Sequence, residues 1–314
     1  MRAFGPVPSR RLGQSLGINN IPPKVCTYSC VYCQIGKTQN LNCERRTFFE
    51  PDDLVREVTE KVHELRKRGT RIDYLSFVPD GEPTLDINLG EHIERLKPLK
   101  IRIAVITNSS LITLEDVKAD LQKADLVSLK VDAVSKEAWI KANRPHRSLD
   151  LNAILQGMLE FRANFSGELI TETMLLKGKN DTPEEIERIA HFLTSLRAQK
   201  SYIAVPTRPP AVKGVTPASD HVLNLAYQTF KETLPHVEYL IGVGGSDFGF
   251  GGNVEEDLLS ITSVHPMRER AIRDYLIKAG ADWDVITDLI EKGSLTEVEY
   301  QGEKFYLRKF PAKA

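Results

Sequence analysis

Three of the four cysteines in this chain stand in one short run, Cys26-Thr27-Tyr28-Ser29-Cys30-Val31-Tyr32-Cys33. The spacing C-x3-C-x2-C brings three thiolates to one loop, where they can bind three irons of a cubane cluster. Clusters that only carry electrons usually have four cysteine ligands, so a triad leaves the fourth iron open to a small molecule. The spacing therefore predicts an open-site [4Fe-4S] cluster held by Cys26, Cys30 and Cys33.

Two other interpretations of the cysteine run are weaker. A structural zinc site usually has four ligands in paired spacings, and the nearest histidine, His63, falls in a stretch with a helical pattern. A disulfide requires an oxidising compartment, whereas the first residues lack the apolar core of a signal peptide. The remaining cysteine, Cys43, is expected to be a small apolar residue.

Composition limits the remaining possibilities. A chain of 314 residues with 41% hydrophobic content predicts one large domain and a small one. The net charge of −1 gives no general attraction for nucleic acid, although Arg10 with Arg11 and Arg45 with Arg46 form local basic pairs. Because no apolar run has the length of a membrane-spanning helix, we expect a cytoplasmic protein without a membrane partner.

Short apolar runs alternate with amphipathic stretches between residues 14 and 241. This pattern predicts strands at 15–19, 74–78, 101–107, 126–132, 169–175 and 202–205, and helices at 52–67, 114–123, 151–164 and 183–196. Strands that alternate with helices indicate a parallel sheet with right-handed crossovers. Six such units are too few for a closed eight-stranded barrel, so the expected fold is α/β, a partial (β/α)6 barrel over 1–245. Its site is expected at the carboxyl ends of the strands.

The last sixty residues read as a separate unit. Residues 242–253 are rich in glycine and predict a linker, with a lid over the barrel mouth as the alternative. Helical patterns at 255–261, 267–278 and 283–292 then precede two short strands at 295–300 and 304–308. Helices closed by a hairpin resemble a winged-helix domain, here over 254–314, and such domains dock RNA, DNA or protein.

A second motif follows the strand predicted at 74–78. Gly81-Glu82-Pro83 alone is a common turn, but at a strand end it offers acceptors to a free amine. With the cysteine spacing and Tyr32, it resembles the signature of radical S-adenosylmethionine (SAM) enzymes. The resemblance implies that SAM chelates the open iron, and that an electron from the cluster splits its C–S bond to give a 5′-deoxyadenosyl radical.

The same resemblance assigns SAM contacts. It implies that Tyr32 packs against the adenine, for which an ordinary apolar contact is the alternative. It implies that the Gly81-Glu82-Pro83 turn holds the ammonium group. Thr107 and Asn108 end the next predicted strand and are suited to the ribose hydroxyls. One position departs from the family pattern, because Asp80 replaces the first glycine of the motif.

Alternation along 126–132 puts Ser128, Lys130 and Asp132 on one face of their strand. Charged groups on a barrel strand face the cavity or are paired. We expect all three to contact SAM or substrate, with Lys130 and Asp132 catalytic. An ion pair between Lys130 and Asp132 that only fills the interior is the alternative.

Three further residues are candidates for substrate binding. Glu172 lies near the end of the fifth predicted strand, close to Met174. Arg208 stands between prolines after the sixth, where it is an anion anchor or a solvated loop charge. Arg144 belongs to the motif Asn143-Arg144-Pro145-His146.

Within the superfamily, the pattern is closest to the wyosine-pathway tRNA-modifying enzymes and their relatives. The shared stretches are Gly81-Glu82-Pro83-Thr84, residues 127–133 and Asn143-Arg144-Pro145-His146. The resemblance implies an RNA substrate and a reductant such as flavodoxin or ferredoxin. It does not extend to the wyosine reaction, because one further cysteine cannot hold that enzyme's second cluster. A glycyl-radical activase, another protein-modifying radical SAM enzyme and an iron–sulfur regulator that binds DNA are the alternatives.

Overall fold

The computed structural model describes residues 2–240, 248, 250 and 252–309. The strands of the large unit are β1 (Ala3–Ser9), β2 (Gly13–Ile18), β3 (Val25–Cys26), β4 (Asn40–Leu41), β5 (Tyr74–Phe77), β6 (Arg102–Thr107), β7 (Leu126–Lys130), β8 (Glu168–Met174), β9 (Lys200–Ala204) and β10 (Val237–Leu240). Its helices are α1 (Pro51–Lys67), α2 (Leu89–Leu96), α3 (Glu115–Leu121), α4 (Lys136–Asn143), α5 (Leu151–Asn164), α6 (Pro183–Leu196) and α7 (Asp220–Thr233). Short 3-10 turns occupy Pro83–Leu85 and Lys97–Leu99.

Eight strands form one open, curled sheet in the order β1-β2-β5-β6-β7-β8-β9-β10. Strands β2 and β5 to β10 are parallel, and β1 is antiparallel at one edge. The α/β partial barrel is therefore confirmed, but six strands was too low a number. Glycine and two prolines interrupt the pattern of β1, and β10 has only four residues, so neither gave a strand signal.

Helices cover the sheet with their apolar faces inward. In α1 the buried residues Leu54, Val58, Val62 and Leu65 recur at helical spacing, as an amphipathic helix requires. Helix α6 begins as its sequence predicts: the Thr182 side chain accepts from the Glu185 amide, and Pro183 occupies the first turn. No helix in the described part of the chain is long and apolar enough to cross a membrane.

The C-terminal unit has its own small core. Its elements are α8 (Val254–Val264), β11 (Met267–Arg268), α9 (Glu269–Ala279), α10 (Asp284–Glu291), β12 (Leu295–Tyr300) and β13 (Glu303–Arg308). The predicted helices and hairpin are present. One prediction was wrong in detail, because the first two residues of the helix expected at 267–278 form β11, which pairs with β13. Three helices thus pack beside a three-stranded sheet of order β11-β13-β12.

The predicted linker at 242–253 lies mostly outside the described residues. Two of its described members pack in the C-terminal unit: Phe248 is 1% exposed in that core, and Phe250 packs against it. The Lys278 ammonium group donates to the Phe248 carbonyl oxygen at 3.1 Å. The sequence predicts that the C-terminal domain begins at 254. Its core includes Phe248, so the domain begins earlier than predicted.

The C-terminal unit packs against the barrel. The Tyr300 hydroxyl donates to the carbonyl of Pro206 at 3.3 Å, and Lys61 Nζ lies 3.5 Å from Asp257 Oδ1. The first contact places the small unit beside the loop that follows β9, at the carboxyl end of the sheet, and the second places it beside helix α1.

Candidate active site

The cysteine loop lies at the carboxyl ends of the central strands. Cys26 ends β3, and the amide of Glu82, which follows β5, donates to the Val25 carbonyl at 3.2 Å. Beyond Cys26 the chain makes two turns. In the first the Cys33 amide donates to the Cys30 carbonyl, and in the second the Gly36 amide donates to the Cys33 carbonyl, both at 3.1 Å. Gly36 has φ of +86°, a conformation that favours glycine.

The three thiols form a donor set that fits iron–sulfur ligation. Burial, the Glu82 carboxylate and the other two thiols raise the pKa of Cys26, and burial and Asp132 raise that of Cys30 to about 12. Burial also raises the pKa of Cys33. Thiolates crowded together in this way need a cationic group to stabilise them, and bound iron supplies one. Each cysteine of a cubane binds a different iron, so the sulfurs need not converge on one ion. In the described ranges, no three His, Cys, Asp or Glu side chains do so.

Glu82 connects the ends of two strands. Its carboxylate accepts from the Thr107 hydroxyl at 2.6 Å, the Asn108 amide at 2.7 Å, and both the amide and the hydroxyl of Thr84 at 3.1 and 2.7 Å. The Asn108 side chain in turn donates to Thr27 Oγ1 at 2.8 Å and lies 3.5 Å from Cys26 Sγ. The predicted SAM contacts Glu82, Thr107 and Asn108 therefore form one network that reaches a cluster ligand.

The strand-end turn is packed directly against the cysteine loop. A Cβ atom on Gly81 would stand 1.8 Å from the Val25 carbonyl oxygen, so only glycine fits there. Pro83 accepts from Asn20 Nδ2 at 3.0 Å. The neighbouring Asp80 is buried, and among the described residues its Oδ1 atom has no hydrogen-bond partner. Burial raises the pKa of Asp80 to about 7. The cations Arg308 and Lys24 offset part of this shift, and the unsatisfied oxygen beside Gly81 is an acceptor suited to a donor group of a ligand, such as the ammonium group of SAM.

Asp132 lies just beyond β7 and fixes the aromatic ring beside the last cysteine. Its carboxylate accepts from the Tyr32 hydroxyl, from Asn143 Nδ2 at 2.7 Å and from the Met174 amide at 2.9 Å. The same Asn143 amide group lies 3.5 Å from Cys30 Sγ. Asp132 thus holds Tyr32 in place behind the cluster loop, and its oxygens are occupied by the protein's own donors.

Lys130 is paired, but its shorter ion pair is not with Asp132. Lys130 Nζ lies 2.6 Å from Glu172 Oε1 and 3.8 Å from Asp132 Oδ1, and Arg11 makes a second ion pair with Glu172. Burial lowers the pKa of Lys130, but Asp132 and Glu172 outweigh it and raise that pKa above its ordinary value. Burial raises the pKa of Glu172, and Lys130 and Arg11 outweigh it and lower that pKa to about 2. Lys130 is therefore an ammonium ion at neutral pH.

Two adjoining cavities open beside this network. One, of about 310 Å³, is lined by Tyr32, Cys33, Lys130, Glu172 and Met174, together with Arg208. The other, of about 210 Å³, is lined by Arg10, His265 and residues of β1 and β2, and the two share Arg11 and Arg208. A volume of roughly 300 Å³ is at the lower end of the range for ligand pockets. We call the two together the barrel cavity.

The structure separates the predicted site residues. Tyr32, Lys130, Glu172 and Arg208 line the barrel cavity. Ser128 is buried within the sheet. Arg144 stands elsewhere: it ends α4 with φ of +45° and lines a groove on the outer side of the cysteine loop. Its expected role in substrate binding is therefore not supported by its position.

Arg208 joins the two units at the cavity. Its guanidinium donates to Gln34 Oε1 at 3.0 Å and to His265 Nε2, in the C-terminal unit, at 2.6 Å. Burial and the nearby Arg268 lower the pKa of Arg208 to about 10, so it stays charged at neutral pH. Burial and Arg208 lower the pKa of His265, which keeps the imidazole neutral and able to accept.

Sequence reasoning missed several residues that complete the site. Asn143 was quoted only as part of a motif, yet it contacts both Asp132 and Cys30. Arg11 was noted as a basic residue without its partner Glu172, which is 161 positions away. Asn143 carried a usable signal, since it is a polar residue at the end of an amphipathic helix; nothing local indicated His265.

Comparisons with known proteins agree with this geometry. The sequence model of the Radical SAM superfamily matches residues 20–193. UPF0026 protein MJ1312 of Methanocaldococcus jannaschii is 48% identical over 313 residues, covering 99% of this chain and 97% of that protein. A UPF0026 protein of Helicobacter pylori strain J99 is 33% identical over 223 residues, covering 70% of this chain and 71% of that one.

A solved structure shares the fold. The structure of TYW1 with a lysine-pyruvate adduct bound has a TM-score of 0.54 and 14% identity, covering 70% of this chain and 74% of that chain. The chain therefore belongs to the radical SAM superfamily, and it is an enzyme of that type whose cofactors are a [4Fe-4S] cluster and SAM.

Proposed function

We propose that this enzyme cleaves SAM reductively and uses the resulting radical to modify a tRNA-like RNA, the substrate class of the wyosine-pathway enzymes that it resembles. The cluster and SAM supply the 5′-deoxyadenosyl radical; the protein binds, orients and excludes water. The contact between the cysteine loop and the end of β5 supports the first step. There the Glu82 network reaches Cys26, and Asp80, whose Oδ1 atom has no hydrogen-bond partner among the described residues, is adjacent to Gly81.

The charge of the barrel cavity favours an anionic substrate. Four cations line it, Arg10, Arg11, Lys130 and Arg208, and among the described lining residues Glu172 alone carries a carboxylate. The hydrogen-bond acceptors that Arg208 finds in the described part of the chain are both neutral, Gln34 and His265. A partly buried guanidinium without a counter-charge favours an oxyanion such as an RNA phosphate, which it can bind through two N–H groups.

We assign docking of the RNA to the C-terminal unit together with Arg208. The Tyr300–Pro206 and Arg208–His265 hydrogen bonds hold that unit beside the cavity mouth. A macromolecule bound on the C-terminal unit can therefore present one nucleotide to the cavity. A winged-helix-like docking domain and a cytoplasmic location complete the proposal.

Two measurements test the function. Anaerobically reconstituted protein is incubated with SAM, a reductant and RNA from cells that lack this enzyme, and 5′-deoxyadenosine and the digested RNA are analysed by mass spectrometry. We expect 5′-deoxyadenosine and a new modified nucleoside, with deuterium from labelled RNA entering 5′-deoxyadenosine. Cleavage of SAM that is unaffected by RNA, and stimulated instead by a protein fraction with weak dependence on salt, would transfer the proposal to a protein substrate.

A further inference from the structure

A second concave surface lies on the outer side of the cysteine loop. This outer groove has a volume of about 680 Å³ and lies between the loop, helix α4 and the segment that follows α4. Its wall carries four cations, Lys37, Lys136, Arg144 and Arg147. No aspartate or glutamate is among the described residues that line it. The groove and the barrel cavity share no lining residue in the described part of the chain.

The groove also has an exposed apolar component. Leu41 is 38% exposed and Ile140 is 48% exposed, and both line it. Apolar side chains surrounded by charge are typical of surfaces that bind another protein. The absence of carboxylates from the described wall means that a partner with acidic residues meets attraction over the whole surface.

The groove is connected to the cluster ligands by hydrogen bonds. The Ser29 amide, in the groove wall, donates to the carbonyl groups of Asn143 and Arg144 at 3.1 Å. The Asn143 side chain then lies 3.5 Å from Cys30 Sγ. Trp139 lines the groove and donates to the Tyr28 hydroxyl at 3.1 Å. The groove is thus the solvent side of the loop whose other side faces the barrel cavity.

We propose that the outer groove is the docking site of an acidic one-electron carrier protein that reduces the cluster. Electron transfer between proteins requires the two redox groups to be close, and the groove backs onto a cluster ligand. Electron-transfer complexes are small and transient, and opposite charges chiefly increase their association rate. One electron leaves the carrier and enters the cluster, and no covalent bond forms or breaks in either protein. The inference depends on the proposed SAM cleavage only for the use of that electron.

Charge reversal tests the groove with a flavodoxin as the probe. Lys136→Glu with Arg147→Glu changes two exposed groove side chains, and Lys67→Glu with Lys231→Glu reverses two exposed charges on α1 and α7 as the matched control. In the reconstituted enzyme we expect SAM cleavage driven by reduced flavodoxin to fall about tenfold or more in the groove variant at low salt. Cleavage driven by dithionite, which needs no docking surface, stays unchanged in both variants.

A binding measurement is independent of catalysis. Oxidised flavodoxin is titrated calorimetrically into each protein, and we expect affinity to fall about tenfold in the groove variant alone, with a weaker dependence on salt. Equal flavodoxin-driven rates and equal affinities in the two variants would overturn the inference. So would a groove variant that is reduced normally by flavodoxin but no longer binds RNA, because the groove would then be an RNA surface. If wild-type protein cleaves no SAM even with dithionite, the proposed function fails, and the titration still decides the groove.

Discussion

Two groups of polar residues near the cysteine loop are used in opposite ways. In the first group, which we call the cluster wall, the carboxylates of Glu82 and Asp132 accept hydrogen bonds from the protein itself, and each network reaches a cysteine sulfur. In the second group, which we call the cavity wall, Arg208 lines the barrel cavity and contacts two neutral groups, Gln34 and His265. The carboxylates of the cluster wall are occupied by the protein's own donors. The cavity wall carries a positive charge that, in the proposed function, a substrate anion balances, so changes in the two groups should have different consequences.

The largest effect is expected at the cluster ligands. Alanine at Cys26, Cys30 or Cys33 removes the sole protein ligand of one iron, so cluster binding and SAM cleavage should fall below detection. Cys43→Ala is the control, because Cys43 packs against the core and stands outside the triad. Cluster binding is measured by the iron content after anaerobic reconstitution. Binding of SAM to the cluster is measured by the change in the EPR spectrum of the reduced protein when SAM is added. Loss of the cluster in Cys43→Ala would contradict the ligand assignment.

Next in size are the residues that hold the cluster wall in place. Asp132→Ala leaves Tyr32 and Asn143 without their shared acceptor, and Asn143→Ala removes the group beside Cys30 Sγ. Outer-shell partners of metal ligands typically contribute 10- to 100-fold to metal affinity or activity, so we expect SAM cleavage to fall by about that factor. Thermal unfolding of the cluster-free protein serves as the control for folding. Cleavage at the wild-type rate in both variants would show that this wall only fills space.

A smaller and different effect is expected at Arg208 in the cavity wall. Arg208→Gln removes a charge that a substrate phosphate would balance, so KM for RNA should rise about tenfold while SAM cleavage without RNA is unchanged. The slope of binding against salt concentration should fall by about one unit. Arg208→Lys should restore part of the affinity, and Lys231→Gln, on the outer helix α7, is the matched control. If Arg208→Gln slows SAM cleavage without RNA and leaves KM for RNA unchanged, Arg208 supports the cluster and does not bind RNA.

The smallest effect concerns Lys130, which lines the barrel cavity and is paired with Glu172. Glu172 is ionised above about pH 2, and its carboxylate together with Asp132 raises the pKa of Lys130. The stabilisation from this ion pair is therefore fully present between the ordinary pKa values of glutamate and lysine, and it is lost as pH falls towards about 2 or rises through the raised pKa of Lys130. At neutral pH the amine is protonated and a poor nucleophile. We expect pyruvate and borohydride to leave wild-type Lys130 unmodified, whereas Glu172→Gln should give a several-fold larger adduct.

The adduct is measured by intact mass and peptide mapping. Arg11→Gln is the control. It removes the second cation that is paired with Glu172, and it leaves the Lys130–Glu172 ion pair in place. A strong adduct in the wild-type protein would show that Lys130 is a nucleophile despite its ion pairs, and would favour wyosine-like chemistry.

Local pattern was sufficient for much of the fold. The six predicted strands and four predicted helices of the barrel are present, and two helices, α5 and α6, have the predicted bounds. Both of these helices begin with a side-chain cap, at Asp150 and Thr182. The missed strands β1 and β10 owe their place to pairing with neighbours, since proline and glycine in β1 oppose a strand assignment. The sequence also did not predict that Arg144 lines the outer groove, because the orientation of a loop side chain depends on the elements that pack around the loop.

The sequence by itself determined the chemistry of this protein. The cysteine spacing and the Gly81-Glu82-Pro83 turn are short segments, so the residues that cooperate are neighbours in the chain. Only the tertiary structure decided how the charged residues are used. It paired Lys130 with Glu172, gave Asp132 to Tyr32 and Asn143, and brought His265 to Arg208. The physical reason is that a charge takes its partner from whatever the fold brings within a few ångströms, and those partners are separated here by up to about 100 positions.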